Sequence, residues 1–330
     1  MKDLSKLLES LLPATRSSKG IVYSVEAVRP SDCAFIGNDE NGNAVAIIVC
    51  EDSLQSDLPD LRLEHFTVDP NRFCIVSSDN SRLKREGRFC TLTFTSPDQT
   101  LRNLFLRLLV ALVEDLPSVP TKIQVMSRIS QIVDLFTAMK SPPQKSLIGI
   151  WGELIILDLA TDKATALSAW HDKNSETCDF VSGNTGLEVK CTTRERRIHR
   201  FSLEQVTPTN IPESTFVASM LTRATDEGMS VSDLANRVRE KISERKLILK
   251  LDRAIYSALG TSWVEADQSK FDLDLTFKTL KYYNVADLPK PTGTMPPGVS
   301  NLRFDCNLEI VQPLKTPDLK SNALLRTILI

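Results

Sequence analysis

Short apolar runs of alternating or strand-like character dominate the first hundred residues. They cover residues 21–25, 33–37, 44–50, 63–68, 73–76 and 89–94. The segment 38–43 contains an Asn-Gly pair and is typical of a hairpin turn between the second and third runs. A short amphipathic helix is predicted before them, over residues 3–12. This pattern indicates a β-rich N-terminal region.

The apolar spacing changes to three and four after Asp98, which is a candidate N-cap. Helices are therefore predicted over residues 101–112 and 121–139. Pro142 and Pro143 break the second helix, and we place a domain boundary there. We expect a β-rich N-terminal domain over residues 1–140, ending in these helices, and a second domain over residues 141–330.

The second half mixes helix and strand patterns. An apolar helix with one internal acid is predicted over residues 147–157, and a buried strand over 215–221. A charged helix is predicted from Ser232 to about Lys246, and its alternating basic and acidic residues indicate a solvated face. Further strands are predicted over 271–285 and 302–311. The fold class expected from this order is α/β, or α+β.

Composition excludes several classes of protein. The 330 residues are 42% hydrophobic and 25% charged, as in ordinary globular proteins. Seven scattered cysteines and three histidines argue against a disulfide framework, a zinc ribbon and a His-rich metal site. The net charge of −2 is not that of a strong autonomous nucleic-acid binder, so any such affinity requires a local patch. With no membrane-length apolar run and no signal-peptide core, we expect a cytoplasmic protein without membrane contact.

Candidate chemistry lies in the segment from Asp179 to Lys190. Side chains alternate along a strand, so Glu188 and Lys190 share one face while Val189 faces the core. The glycines within 183–186 favour a tight turn, which would bring Asp179 beside Glu188. Two carboxylates and an ammonium then meet at one place. Carboxylates are preferred ligands of magnesium, so a metal site is predicted.

Glu153 adds a third carboxylate to this hypothesis. It lies in the apolar helix of residues 147–157, where an isolated charge is costly to bury, so it needs a metal or a lysine as partner. Gly149 and Gly152 each cost about 1 kcal/mol relative to alanine in a helix interior. That cost predicts close packing of the helix against a neighbour.

Each motif has a plainer interpretation. A Glu-x-Lys triplet is often a solvated strand face, and a lone acid in an apolar helix is often an end residue or a salt-bridged one. A basic segment follows the triplet and could hold phosphates, although a solvated hairpin rim is an equal alternative. Ser202 and Gln205 could open a short helix that faces DNA, or be ordinary surface residues. The candidate DNA-binding residues are Arg194, Arg196, Arg197, His199, Arg200, Ser202 and Gln205.

Taken in order, these motifs resemble the PD-(D/E)XK nuclease superfamily. The closer resemblance is to bacterial PD-(D/E)XK motif proteins found beside restriction-modification and phage-defence genes, and it covers most of the chain. Cys178 stands in place of the proline, and Cys191 separates Lys190 from Thr192. The matching residues are Gly152-Glu153-Leu154, Asp179-Phe180, Glu188-Val189-Lys190, and His199, Ser202 and Gln205.

The resemblance implies a restriction-endonuclease-like mixed sheet flanked by helices. It implies a metal-dependent endonuclease that hydrolyses DNA phosphodiester bonds in a restriction or phage-defence system. Magnesium, for which manganese can substitute, would be held by Glu153, Asp179 and Glu188, and Lys190 would position the attacking water. The partners expected are DNA and other defence proteins, with a homodimer left open. The alternatives are a catalytically inactive subunit that binds DNA or a partner protein, and an interaction subunit with no nucleic-acid role.

Overall fold

The computed structural model describes residues 4–28, 33–51, 59–78, 83–170, 178–207, 214–292, 298–315, 322 and 324–326. The chain forms two compact units, residues 1–137 and 138–330. The division falls a few residues before Pro142 and Pro143. In the described part of the chain, no helix combines the length and the apolar character needed to cross a membrane.

The first unit is a small barrel followed by two helices. In the described residues its sheet has the order β1-β2-β3-β4-β7-β6-β5, and a parallel pairing of β2 with β6 closes it. Asp98 caps α2 by accepting a hydrogen bond from the Leu101 amide, as predicted. The elements are α1 (Leu4–Ser10), β1 (Thr15–Ser17), β2 (Gly20–Ala27), β3 (Ala34–Asn38), β4 (Ala44–Ile48), β5 (Leu61–Arg62), β6 (Phe66–Ser78), β7 (Leu83–Phe94), α2 (Gln99–Glu114) and α3 (Lys122–Ala138).

One difference from the predicted pattern concerns this unit. The runs at 63–68 and 73–76 belong largely to one strand, β6, because a bulge between Asp69 and Arg72 carries the strand past the polar residues that separate them. The turn at 38–43 does join β3 to β4, as its Asn-Gly pair predicted. The β-rich character of the region is confirmed.

The second unit is built on a four-stranded mixed sheet of order β14-β11-β9-β8. Strands β9 and β11 are parallel, whereas β8 and β14 pair antiparallel with their neighbours. The elements are α4 (Leu147–Leu159), α5 (Lys163–Ala169), β8 (Phe180–Ser182), β9 (Thr185–Thr192), β10 (Ile198–Ser202), α6 (Leu203–Val206), β11 (Ser214–Leu221), β12 (Ala224–Ser230), α7 (Val231–Glu240), α8 (Arg245–Leu259), β13 (Lys270–Phe271), α9 (Leu273–Thr279), β14 (Lys281–Asn284) and β15 (Arg303–Asn307).

The two faces of this sheet are covered differently. The main core of the unit lies on one face, where α4, α5, α7 and α8 bury their apolar residues against β9 and β11. A smaller core lies on the other face, where β10 and β15 form an antiparallel ribbon above Val217 and Tyr283. The predicted mixed sheet flanked by helices is confirmed.

Local capping explains where the secondary structure departs from the pattern. Residues 271–285 were expected to form one strand, but Asp272 accepts a hydrogen bond from the Leu275 amide and starts α9 between β13 and β14. The charged helix ends at Glu240, and α8 begins separately at Arg245. The predicted solvated face is present and carries Asn236, Glu240 and Lys241. Arg239 is the exception, because its side chain is largely enclosed and paired with the buried Asp252.

Candidate active site

A tight hairpin brings Asp179 beside Glu188. Strands β8 and β9 are joined at Gly183 and Asn184, and Gly183 has a φ of 57°, which favours glycine. Phe180 pairs with Leu187, so the preceding residue, Asp179, lies opposite Glu188. The Val189 amide donates to Asp179 Oδ2 over 2.9 Å. The glycine turn predicted that Asp179 lies beside Glu188, and this is confirmed.

Strand β9 separates its side chains between the two faces as the period of two predicts. Val189 packs into the main core beneath α4. Glu188 and Lys190 point to the opposite face, where Lys190 Nζ lies 2.7 Å from Glu188 Oε1. The ammonium also lies 5.0 Å from the ring centroid of Phe201 on β10. Glu188 is 5% exposed, so this carboxylate is held in the protein rather than in solvent.

Helix α4 carries Glu153 to the same end of the sheet. Ser146 caps the helix by accepting from the Gly149 amide. A Cβ atom at Gly152 would lie 2.9 Å from the Cβ of Cys191 on β9, so only glycine allows this close approach. The predicted close packing is thus confirmed at Gly152. It is wrong at Gly149, where a Cβ would meet only Ser146 Oγ at an ordinary 3.4 Å.

Lys145, which the sequence motifs did not single out, links two of the carboxylates. Its Nζ lies 2.6 Å from Glu153 Oε1 and 2.7 Å from Asp179 Oδ1. The other oxygen of Glu153 accepts from Trp170 Nε1 over 2.7 Å. The signal in the sequence was the need of Glu153 for a charged partner. Lys145 follows Pro142 and Pro143, outside the predicted helix, so its position in the sequence did not indicate that it is this partner.

Burial and mutual repulsion shift the pKa values of this cluster. Burial raises the pKa of Glu153, and the charge of Asp179 raises it further, while Lys145 opposes the shift. Burial and the charge of Asp179 also raise the pKa of Glu188, against the effect of Lys190. Burial alone would lower the pKa of Lys145, but the charges of Asp179 and Glu153 outweigh it and raise this pKa. The three carboxylates therefore act on one another as one electrostatic unit.

We call Glu153, Asp179 and Glu188 the carboxylate cluster. When every group is ionised, three carboxylates face the two ammonium groups of Lys145 and Lys190, which leaves one negative charge unmatched within this set. Carboxylate oxygens are the donors that magnesium and manganese prefer, so the residues fit a divalent cation. In the described part of the chain, no set of three or more His, Cys, Asp or Glu side chains is arranged to hold a metal ion as it stands.

Comparison with known protein families shows to which family the chain belongs. The family model described as "Putative PD-(D/E)XK family member (DUF4420)" matches residues 12–309. The chain belongs to this family. The match includes every residue of the carboxylate cluster and most of both compact units. No curated protein matches the chain. No solved structure matches it either.

The basic segment of this PD-(D/E)XK family member divides into exposed and buried residues. Arg194, Arg196 and Arg200 are exposed, whereas Arg197 and His199 are only 5% and 4% exposed. The prediction that Arg197 and His199 contact DNA is therefore wrong, because both side chains are buried. The period of two along β10 turns His199 inward, and the buried groups already bind other parts of the protein.

Arg197 and His199 meet at the hydroxyl of Ser219 on β11. Arg197 Nη1 donates to the Ser219 carbonyl over 2.6 Å and to its Oγ over 2.9 Å, and Nη2 donates to the Thr279 carbonyl. His199 Nε2 lies 2.6 Å from the same Oγ. Burial and the charges of Lys190, Arg197 and Arg194 lower the pKa of His199 to about 3, so the ring is neutral at pH 7. These residues fasten β10 to the central sheet.

The prediction that Ser202 and Gln205 open a short helix is confirmed. They form a reciprocal capping box at the start of the four-residue helix α6. Gln205 Nε2 also donates to Glu188 Oε1 over 2.6 Å. Contact of either residue with DNA stays a prediction.

The remaining basic residues lie on the exposed face of the β10–β15 ribbon and in the turn before β10. Asp305 lies 2.9 Å from Arg200 Nε and 3.9 Å from Arg194 Nη1. Arg303, exposed and paired in register with Ser202, adds a basic residue that the motifs did not indicate. Arg200 and Arg303 lie on the ribbon strands, and Arg194 and Arg196 lie in the turn that leads into β10. We call these four exposed residues the arginine ribbon.

Proposed function

We propose that this PD-(D/E)XK family member is a metal-dependent endonuclease that hydrolyses DNA phosphodiester bonds in a bacterial restriction or phage-defence system. The observation that carries the proposal is the convergence of Glu153, Asp179 and Glu188 with Lys190 at one end of the sheet. Membership of a PD-(D/E)XK family supports the same reaction class. The proposed cation is magnesium, for which manganese substitutes.

The carboxylate cluster would hold the cation. When bound, a divalent cation lowers the pKa of water and stabilises the charge that builds on a phosphate. Lys190 supplies a compact ammonium beside Glu188, suited to orienting the attacking water and to balancing charge in the transition state. Gln205 holds Glu188, and Trp170 holds Glu153, so both carboxylates are oriented before any substrate binds.

The arginine ribbon is the proposed nucleic-acid contact. Exposed guanidinium groups bind phosphates through paired hydrogen bonds, and a two-stranded ribbon has dimensions that a DNA groove admits. Three of the four arginines lie on or next to β10, whose inward-facing Phe201 contacts Lys190. The ribbon and the carboxylate cluster would therefore act on neighbouring parts of one DNA backbone.

A second candidate is a catalytically inactive nuclease-fold subunit that binds DNA or a partner protein. Lys145 favours it, because an ammonium between Glu153 and Asp179 satisfies two carboxylates without a metal. The net charge of −2 likewise favours a protein that depends on a partner for tight DNA binding. Other proteins of the same defence system, or a second copy of the chain, would be such partners.

Cleavage assays separate the two candidates. The full-length protein, alone and with proteins encoded beside it, would be incubated with plasmid, linear and single-stranded DNA in magnesium, manganese or a chelator. The nuclease proposal predicts cleavage that requires the cation and is lost in Lys190→Ala. Lys241→Gln is a matched control, since it removes a lysine bound to a carboxylate outside the site. Absence of cleavage together with absence of metal binding by calorimetry would favour the inactive subunit.

A further inference from the structure

Lys145 occupies the position between two site carboxylates that a cation would be expected to bridge. Its Nζ lies 2.6 Å from Glu153 Oε1 and 2.7 Å from Asp179 Oδ1, so the two oxygens are bridged by a single ammonium. Asp179 Oδ2 accepts from Val189, and Glu153 Oε2 accepts from Trp170. Each carboxylate thus presents one fixed oxygen to the protein and the other to Lys145.

The backbone and the side chain of Lys145 differ in how firmly they are held. The main-chain amide donates to the Ala258 carbonyl over 3.0 Å, and the next residue, Ser146, caps α4. The side chain is 24% exposed, while those of Glu153 and Asp179 are 4% and 13% exposed. A long, flexible side chain that reaches inward from a partly exposed position can withdraw without moving its backbone.

Charge balance favours such a withdrawal. With every group ionised and Lys145 in place, the carboxylate cluster and its two lysines carry one net negative charge, and a divalent cation would change this to one net positive charge. If Lys145 leaves as the cation enters, three carboxylates are balanced by Lys190 and the cation. An ammonium and a divalent ion at the same pair of oxygens would also repel each other strongly in a poorly solvated site.

We infer that Lys145 is an internal counterion, which holds Glu153 and Asp179 in the metal-free protein and is displaced when a divalent cation binds. The inference rests on the metal-binding part of the proposed function. Lys145 keeps the buried carboxylates paired before binding, and any cation must compete with it. Affinity for the cation is therefore set partly by a residue outside the ligand set.

Calorimetric titration with Mn²⁺ tests the inference. Lys145→Gln removes the competing charge but keeps a hydrogen-bond donor, so it should bind Mn²⁺ at least about tenfold more tightly than the wild type. Lys145→Arg keeps the charge and should not gain affinity. Lys241→Gln removes a lysine from Asp158, outside the cluster, and should bind Mn²⁺ as the wild type does. Circular dichroism establishes that each variant is folded.

Chemical labelling gives a second readout that is independent of activity. Acetylation of Lys145, followed by mass spectrometry, should be slow in the metal-free protein and at least about threefold faster with saturating Mn²⁺, because displacement exposes the ammonium. If the wild type binds Mn²⁺, but Lys145→Gln gains no affinity and Mn²⁺ does not speed the acetylation of Lys145, the inference is overturned while the metal-dependent function stands. Absence of Mn²⁺ binding in both proteins would overturn the inference together with the metal-dependent function.

Discussion

The amide of Gln205 donates to the buried carboxylate of Glu188 over 2.6 Å, although the two residues lie on different elements. The same Glu188 oxygen is 2.7 Å from Lys190 Nζ, so Gln205 fixes the position of the Glu188–Lys190 pair. Through its capping box, Gln205 also holds the start of α6. One side chain thereby connects the local fold to the geometry of the site.

Replacement of Gln205 should affect both stability and catalysis. Gln205→Ala removes a hydrogen bond to a buried charged group and half of a capping box, so the free energy of unfolding should fall by about 2 kcal/mol in urea titrations. Cleavage should fall with it, because Glu188 loses its orientation. Glu204→Ala, at the exposed neighbouring position, is the control. Equal stability of the two variants would contradict the structural role of Gln205.

Lys190→Arg tests whether Lys190 acts in catalysis or only balances charge. Arginine keeps the charge, but its planar fork is larger than an ammonium held between Glu188 and Phe201. Folding should remain near that of the wild type, while the cleavage rate, or protection against phage in cells, should fall by about 100-fold or more. Full activity in both Lys190→Arg and Lys190→Ala would show that Lys190 is not catalytic.

His199 should make the folded protein sensitive to acid. Its ring is neutral in the folded state, with a pKa lowered to about 3, whereas an unfolded histidine takes up a proton near pH 6.5. Protons therefore bind preferentially to the unfolded chain in this range, and stability falls as the pH drops. By pH 5 this one group should cost about 2 kcal/mol of unfolding free energy.

Comparison with His199→Gln isolates this contribution. Glutamine can keep a hydrogen bond to Ser219 but does not titrate, so the variant should lose less stability than the wild type between pH 7 and pH 5. Thermal unfolding monitored by circular dichroism across that range measures the difference. Parallel pH profiles for the two proteins would mean that His199 does not carry the effect.

The arginine ribbon predicts weak, salt-sensitive DNA binding by the isolated chain. Each phosphate contact adds about 0.9 to the magnitude of the slope of log affinity against log salt. A triple variant in which glutamine replaces Arg194, Arg196 and Arg200 should therefore reduce this magnitude by about 2 to 3. Asp305→Asn should tighten binding, because it frees Arg194 and Arg200 from their acidic partner. Fluorescence anisotropy measures both changes.

Arg197 provides the matched control for the arginine ribbon. Because it is buried and donates to Ser219 and Thr279, Arg197→Lys should lower the melting temperature without changing the salt slope. Nanomolar affinity of the isolated wild-type chain at physiological salt would contradict the prediction of weak binding.

Gly152 and Gly149 offer a paired test of helix packing. An alanine at 152 would place its Cβ 2.9 Å from that of Cys191, so Gly152→Ala should destabilise the protein by about 1 to 3 kcal/mol. Gly149→Ala meets no such obstacle and should be neutral or stabilising by up to about 1 kcal/mol. Chemical denaturation of both variants gives the comparison. Equal effects would contradict the close approach of α4 to β9.

Local patterns were sufficient to predict the core of the site. The glycine turn and the period of two placed Asp179 opposite Glu188 and turned Lys190 to the face of Glu188, because these relations span only a few residues. The apolar run around Glu153 indicated a buried helix and a need for a charged partner. Such features depend on backbone geometry that the nearby sequence specifies.

Relations across the fold could not be predicted in the same way. Arg197 lies among exposed arginines in the sequence, yet its partners are 22 and 82 residues away. Lys145 follows a Pro-Pro break, and only the packed helix shows that its side chain reaches Asp179, 34 residues later. For such residues, charge and spacing do not distinguish a solvated side chain from one bound inside the protein.

The closed sheet of the first unit affects how readily separate molecules can aggregate. Because the parallel pairing of β2 with β6 closes this sheet, its order ends in β1 and β5, and these terminal strands have only three and two residues in the described part of the chain. Long unpaired edges are where separate molecules join strand to strand and aggregate. Terminal strands as short as these offer a second molecule few free backbone groups with which to pair.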